Sequence, residues 1–262
     1  MDLENLPIEI LLRIASHFNQ KLLIKLSNSI SKDMSLIFQS YLFLYKELVD
    51  LGINFAHLNE VAPYISNFNN LYQSAMRLSY LERLHLSPWQ ICCLSNEPRA
   101  IKHAKEYYGI TEHTKDDLNR RPQHFFALAN QPEKIILSME ALKTTSILRS
   151  PDYKGRSMLH YAALSGSKDV LIYILMLKFN LRDQDYEGRD ARHYAAQSAS
   201  TSQIEFVIFD NNLNPSKKDK FKNTAIQCAL CSHAAFFAAT QVEKYAGLRK
   251  TRNKANHLAL NN

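Results

Sequence analysis

Apolar residues recur at helical spacing along most of the chain. Near the N-terminus, Ile10, Leu11, Ile14 and Phe18 lie three or four positions apart, which places them on one face of a helix. The same spacing returns in two later stretches: Val170, Leu171, Ile174 and Leu175, then Ile204, Val207 and Ile208. This pattern predicts an all-α fold made of short amphipathic helices.

A second pattern is a repeat of the sequence itself. The stretch D-Y-K-G-R-S-M-L-H-Y-A-A starts at Asp152, and D-Y-E-G-R-D-A-R-H-Y-A-A starts 33 residues later at Asp185. The same residue stands at eight of the twelve positions in the two stretches. Weaker copies begin at Glu82, Asp116 and Asp219. All five copies carry His or Gln at one shared position, namely Gln90, His124, His160, His193 and Gln227.

The intervals between these markers are 34, 36, 33 and 34 residues. Such a period exceeds a single helix and predicts about five stacked units in a solenoid. In each unit a short first helix with alanines allows close approach, and a bulkier second helix supplies apolar surface. We expect Gly155 and Gly188 to adopt positive φ in turns, and Asn212 to do so after a helix. The recurring histidines are expected to bond to neighbouring backbone rather than to take part in catalysis.

Residues 81–245 resemble the ankyrin repeat, whose pattern is D-x-x-G-x-T-P-L-H-x-A-A-x-x-G. The match is strongest in the units that begin at Asp152 and Asp185. These two units depart from it at Ser157-Met158 and Asp190-Ala191, which replace the Thr-Pro pair. Two other units have Asn119 and Lys222 where the pattern has Gly. The resemblance implies a divergent ankyrin-repeat solenoid, followed by a basic tail at residues 246–262.

Residues 1–48 do not follow the repeat. They contain L-P-I-E-I-L-L-R-I from Leu6, and Ile30-Ser31-Lys32 with Met34 two positions later. This segment resembles the F-box, whose pattern begins L-P-x-E-[IL]-L-x-x-I and continues with V-S-K-x-W. A different interpretation is a three-helix bundle that only caps the solenoid. Residues 49–80 carry Ile65, Phe68, Leu71, Tyr72 and Met76 at helical spacing and are predicted to be a linking helix.

The two resemblances together imply a non-catalytic subunit of a ubiquitin ligase. F-box proteins bind a Skp adaptor and thereby a cullin-RING ligase, and their second domain recruits the target protein. The expected adaptor-binding residues are Leu6, Pro7, Ile10, Leu11, Ile14 and Ile30. The combination is similar to effectors that intracellular bacteria deliver into host cells, so the adaptor and the target would then be host proteins. The alternative is an ankyrin scaffold or inhibitor outside any ligase.

The target is expected to bind at the turn tips and on the short-helix face of the repeats. Tyr and Arg are common among residues that dominate binding energy, and the tip sequence Tyr-x-Gly-Arg occurs twice. They suit an acidic or extended partner segment, although two repeats of shared ancestry would show the same duplication. The expected target-binding residues are Tyr153, Lys154, Arg156, Tyr161, Tyr186, Glu187, Arg189, Tyr194 and Phe221.

Composition and charge argue against several classes of partner and ligand. The chain has 262 residues, 46% of them hydrophobic and only 6 of them glycine, and it lacks both Gly-rich nucleotide-binding motifs. Its net charge of +7 includes a run of four lysines at 217–222 and a basic C-terminus. We interpret these as a charged loop and a solvated tail, and expect neither nucleic acid nor membrane as a partner. No secretory signal or long apolar run is visible, so we expect a cytoplasmic monomer with no small-molecule substrate.

The four cysteines form an adjacent pair, Cys92-Cys93, and a C-x-x-C, Cys228 and Cys231. These spacings are a poor framework for disulfides, and reduced thiols are expected. A zinc site at Cys228, Cys231 and His233 would need a distant fourth ligand, and these side chains would converge poorly on a helix. We therefore expect no metal and no cofactor.

Overall fold

The computed structural model describes residues 43–44, 46–142 and 147–230, together with 242, 244, 247 and 250. Throughout these residues the regular elements are helices, which confirms the all-α prediction. Almost all of residues 1–48 lies outside the described part of the chain, and so does most of the basic tail. The described residues form two compact units, one up to 111 with 136–142, the other 112–135 with 147 onward.

Between residues 55 and 107, the first unit contains five helices and a 3-10 turn. The helices are α1 (Phe55–Val61), α2 (Phe68–Met76), α3 (Tyr80–Leu84), α4 (Pro88–Ser95) and α5 (Pro98–Tyr107), and the 3-10 turn is Ala62–Tyr64. Helices α1 and α2 both pack on α4, and α4 packs on α5. Helix α4 is buried from Gln90 to Ser95, so it forms the centre of this unit.

The predicted linking helix over residues 49–80 is wrong in one respect, because the structure breaks it into α1, the 3-10 turn and α2. Pro63 has no amide hydrogen and therefore cannot continue the α-helical hydrogen bonds of α1. The side chain of Asn67 then accepts from the amide of Asn70 at 3.0 Å and starts α2. The break allows the two short helices α1 and α2 both to pack on α4.

The second unit alternates short buried helices with longer or more irregular ones. Its helices are α6 (Pro122–Leu128), α7 (Pro132–Leu142, which it shares with the first unit), α8 (Met158–Ser165), α9 (Lys168–Met176), α10 (Ala191–Ser198), α11 (Thr201–Ile204) and α12 (Ala225–Ala229). A π-helix, Glu205–Asp210, extends α11. The buried helices α6, α8, α10 and α12 pack side by side in chain order.

The packing agrees with the predicted difference between the short, alanine-containing first helices and the bulkier second helices. Ala162 and Ala163 on α8, like Ala195 and Ala196 on α10, are fully buried where neighbouring short helices meet. The apolar stripes of the second helices are also buried, apart from the half-buried Leu175, and comprise Val170, Leu171, Ile174, Ile204, Val207 and Ile208. Small side chains bring the short helices close, and larger ones fill the space behind them.

One hydrogen bond recurs at the start of all five short helices. The marker side chain is the third residue of its helix, and it accepts from the backbone amide just before the helix at 2.6–3.2 Å. Because Nδ1 of His124 and of His160 accepts this bond, Nε2 carries the ring proton. That nitrogen donates to a carbonyl in the following turn, Ser150 at 3.0 Å and Asp183 at 3.2 Å. The expected structural role of these two histidines is confirmed.

We expect acid to destabilise the fold through His124. Burial lowers the pKa of His124 from 6.5 to about 4. Between these values the unfolded chain binds more protons than the folded one, so stability falls as the pH drops and is constant above about 6.5. From pH 7.5 to pH 5, His124 should account for about 2 kcal/mol of lost unfolding free energy, measured by urea titration.

The substitution His124→Gln tests this assignment, because Gln90 and Gln227 make the same helix-start bond without titrating. The variant should lose less stability than the wild type between pH 7.5 and pH 5. His113→Gln is the matched control, since the His113 side chain is 70% exposed. Equal acid sensitivity in the wild type and His124→Gln would contradict the prediction.

Candidate functional site

Four turns in the second unit share one backbone geometry, and each starts with an aspartate. Its Oδ1 accepts from the amides two and four residues further on, at 2.7–3.0 Å. The backbone amide of the aspartate donates to the carbonyl of the residue four positions further on, at 2.9–3.0 Å. The four aspartates are Asp116, Asp152, Asp185 and Asp219. The carboxylate therefore fixes the turn from within.

Each turn needs one residue with positive φ, three positions after the aspartate. Gly155 and Gly188 have φ of 80° and 77°, which confirms the expectation for these glycines. Asn119 and Lys222 occupy the same position with φ of 55° and 65°. The departures from the repeat pattern therefore keep its backbone conformation, at the steric cost of a side chain in the left-handed region. Asn212 also has a positive φ, 50°, as predicted.

Adjacent turns are joined by a backbone hydrogen bond at one register. The residue after each aspartate donates to the residue two positions after the preceding aspartate. The three bonds are Tyr153 to Leu118 at 2.9 Å, Tyr186 to Lys154 at 2.9 Å and Lys220 to Glu187 at 2.8 Å. We call the two residues after each aspartate the turn tip: residues 117–118, 153–154, 186–187 and 220–221. The four tips consequently lie next to one another in chain order.

Buried side chains hold the turns from below. In the turn at Asp152, Oδ2 accepts from Arg156 Nε at 2.7 Å and from the Tyr161 hydroxyl at 2.8 Å. Arg156 Nη2 donates to that hydroxyl at 2.9 Å, so three polar groups satisfy one another. In the next turn, the Tyr194 hydroxyl donates to Asp185 Oδ2 at 2.6 Å. A buried carboxylate needs such partners to remain charged.

The expected target surface requires correction at Arg156, Tyr161 and Tyr194. These side chains are buried, at 5%, 1% and 4% exposure, and their polar atoms are bonded within their own turn. These internal bonds occupy their polar atoms, so the three side chains are not available to a partner. Sequence alone could not separate them from Tyr153 and Tyr186, which recur at the same period.

Arg189 has the same place in its turn as Arg156 but bonds differently. Its Nε donates to Asp219 Oδ2 of the following turn at 3.0 Å, and its Nη1 lies 2.7 Å from Glu187 Oε2. Burial would raise the pKa of Asp219, but the Asn223 amide and Arg189 outweigh it and lower that pKa. The half-buried Arg189 is thus mainly a link between two turns.

The remaining predicted target-binding residues do lie at the surface. Tyr153, Tyr186 and Phe221 are exposed by 43%, 61% and 63%, on three successive turn tips. Lys154 is partly exposed, with its ammonium 5.3 Å from the ring centroid of Tyr153. Glu187 is partly exposed and paired with Arg189. The structure therefore brings together an aromatic row with charged groups beside it.

The sequence pattern alone predicts no binding role for the lysines around the last tip. Lys218, Lys220 and Lys222 are exposed on either side of Phe221, and no ion pair joins any of them to a carboxylate within the described ranges. The available signal was their offset in the repeat, since Lys220 and Phe221 align with Tyr186 and Glu187. The lysine-rich loop at residues 217–222 therefore lies beside the exposed ring of Phe221 and belongs to the same surface as Tyr153 and Tyr186.

A groove of about 260 Å³ adjoins the row at Tyr186. Its wall includes Arg149, Pro151, Gly155 and Phe179. The Arg149 guanidinium lies 4.6 Å from the ring centroid of Phe179, and it donates to the carbonyl of Lys178. The groove thus has a largely fixed wall beside an exposed tyrosine.

A larger groove of about 510 Å³ lies in the first unit, between α5 and residues 137–141 of α7. Its charged groups are engaged locally: Lys102 lies 3.9 Å from Glu106, and Lys105 donates to the Ala141 carbonyl at 2.9 Å. Nothing in its wall selects a particular ligand. The turn tips therefore remain the better candidate for a binding site.

The described cysteines are poor nucleophiles. Burial raises the pKa of Cys92 to about 12 and also raises that of Cys93, so both remain protonated thiols. Cys228 is buried, whereas Cys231 and His233 lie outside the described residues. In the part of the chain that the structure describes, no cluster of His, Cys, Asp and Glu is arranged to hold a metal. Within that same part, no helix is long and apolar enough to cross a bilayer.

The predicted adaptor-binding residues cannot be placed. They are Leu6, Pro7, Ile10, Leu11, Ile14 and Ile30, and all lie outside the described residues. A scan against protein-family models finds no match to the chain, and a search of curated proteins finds no match either.

Gly155 should tolerate substitution less well than Gly188. A Cβ atom on Gly155 would lie 2.5 Å from Cδ1 of Tyr186, whereas one on Gly188 would lie 3.3 Å from Cγ of the flexible Lys220. Both variants to alanine carry the cost of positive φ, about 1–2 kcal/mol. Gly155→Ala should lose roughly a further 1–3 kcal/mol of unfolding free energy from overpacking, measured by urea titration. Equal losses in the two variants would contradict this prediction.

The buried network can be tested by exchanging one hydroxyl between two repeats. Phe125 aligns with Tyr161, and the nearby Arg120 Nη1 is buried with no hydrogen-bond partner in the described residues. Tyr161→Phe should cost about 1–3 kcal/mol of unfolding free energy, because Arg156 and Asp152 each lose a bond. Phe125→Tyr should be neutral or stabilise by about 1 kcal/mol, since Arg120 gains an acceptor. Comparable destabilisation by both substitutions would refute this account.

Proposed function

We propose that this chain is the substrate-recruiting subunit of a Skp–cullin–F-box ubiquitin ligase. In this proposal residues 1–48 bind the Skp adaptor, and an ankyrin-repeat solenoid holds the target protein. The chain acts by keeping the target near a ubiquitin-charged enzyme, which raises the effective concentration of the reacting groups. If a bacterium delivers the chain into a host, the adaptor and the target are host proteins.

The repeated turn is the observation that carries the target-binding half of the proposal. Four aspartate turns of one geometry, joined at one register, support an ankyrin-type solenoid with a continuous edge of tips. Extended surfaces of stacked repeats are suited to binding other proteins. The exposed aromatic residues on three successive tips support the same use.

The ligase half rests on the N-terminal sequence motif. The Leu6-Pro7 start, the apolar positions that follow and Ile30-Ser31-Lys32 match the F-box pattern. The structure adds one indirect argument against a mere capping role. Helices α1 and α2 already cover α4, so the first repeat has a cap that does not come from residues 1–42.

A direct test is binding of the purified full chain to a purified Skp adaptor in a pull-down. The wild type should bind, and the double variant Leu6→Ala/Pro7→Ala should lose the interaction because it removes two apolar residues of the predicted interface. Tyr186→Ala, a change on a turn tip of the second unit, is the matched control and should bind like the wild type.

The outcome separates the ligase subunit from the scaffold. Failure of the folded wild type to bind the adaptor would refute the ligase proposal and favour an ankyrin scaffold or inhibitor. Loss of binding by Tyr186→Ala as well would show that the adaptor docks on the repeats rather than on residues 1–48. Circular dichroism of each variant establishes that it is folded.

A further inference from the structure

Two residues of the turn tips, Tyr186 and Lys220, pack on a glycine of the preceding turn. Tyr186 packs on Gly155 of the preceding turn, where any larger residue would meet its ring, and its amide donates to the Lys154 carbonyl. Lys220 packs its aliphatic stem on Gly188 in the corresponding way. Each tip is therefore held by the turn before it. A partner that binds the row meets a surface that loses little conformational freedom on binding.

The charge of the row is positive once internal pairs are taken into account. The carboxylates of Asp152, Asp185 and Asp219 are buried in their turns, and Glu187 is paired with Arg189. The arginines are engaged in those same interactions. On the second to fourth tips and beside them, the charges left facing outward are lysines, namely Lys154, Lys218, Lys220 and Lys222, whereas the first tip carries the exposed carboxylate of Asp117.

We propose that the row binds an extended acidic segment of the target, which carries an aromatic or aliphatic anchor residue. This inference rests on the proposed function and specifies the chemistry of its target. The acidic side chains pair with the four lysines, and the anchor packs against Tyr186 and enters the adjacent groove at Phe179. Lysine, rather than the arginine that the sequence pattern suggested, provides the attraction.

The arrangement favours a peptide segment over an anionic membrane or a nucleic acid. Backbone hydrogen bonds join the successive tips, and three of the tips carry an exposed aromatic residue, as suits a single extended chain. A groove of about 260 Å³ beside Tyr186 has room for a side chain, which neither a phosphate backbone nor a lipid headgroup needs.

The experiment is selection of a random dodecapeptide library on the purified full chain. Enriched peptides are synthesised with fluorescein, and their binding is measured by fluorescence anisotropy. We expect enrichment of Asp and Glu around one aromatic or aliphatic residue. Tyr186→Ala and Lys220→Glu should each weaken binding about tenfold or more. Added salt should weaken it further, because exposed charges are screened.

The matched controls are Tyr107→Ala and Lys102→Glu, which alter exposed residues of the first unit and should leave binding unchanged. Absence of enrichment, enrichment of basic or uncharged peptides, or binding indifferent to Tyr186 and Lys220 would each overturn the proposal. The proposal would also be overturned if the chain bound no peptide but bound phosphatidylserine vesicles or a single-stranded oligonucleotide saturably, and if that binding depended on Lys220. The adaptor pull-down with the same variants fails or succeeds independently, so the two proposals remain distinguishable.

Discussion

The buried aspartate carboxylate at the start of each turn is the constraint on which the second unit depends. A charge removed from water must be compensated by hydrogen bonds or opposite charges. At Asp152 one oxygen receives two backbone amides, and the other receives Arg156 and Tyr161. Meeting this requirement fixes the turn, forces positive φ at Gly155, and leaves the backbone of the tip free to bond to its neighbours.

The same constraint divides the side chains between interior and surface. Polar residues that recur with the period have mostly internal duties, since every turn has the same carboxylate to satisfy. Residues on the tips have no such duty and stay exposed, whether they recur, like Tyr153 and Tyr186, or differ, like Lys220 at the same position of the last tip. Recurrence alone therefore does not separate framework residues from surface residues, whereas burial does.

Much of this arrangement could be predicted from the sequence, for physical reasons. The period located all five short helices, because each marker must reach the amide that precedes its helix. The positive φ of Gly155 and Gly188 followed from the residue type. The sequence could not show that Arg189 bonds to the next turn while Arg156 bonds within its own, because the two have the same local sequence and differ in their neighbours. Nor could periodicity detect the break at Pro63.

The support that Gly155 gives to Tyr186 has a consequence for how such an array changes during evolution. The orientation of Tyr186, like that of Lys220, depends on two places in the sequence, the tip itself and the glycine of the repeat before it. Duplicating or deleting one repeat therefore makes a tip pack on a different preceding turn. The surface changes both at the altered repeat and at the tip that follows it. The unit that determines the binding surface is a pair of neighbouring repeats rather than a single repeat. New binding specificities would therefore arise when different repeats become neighbours.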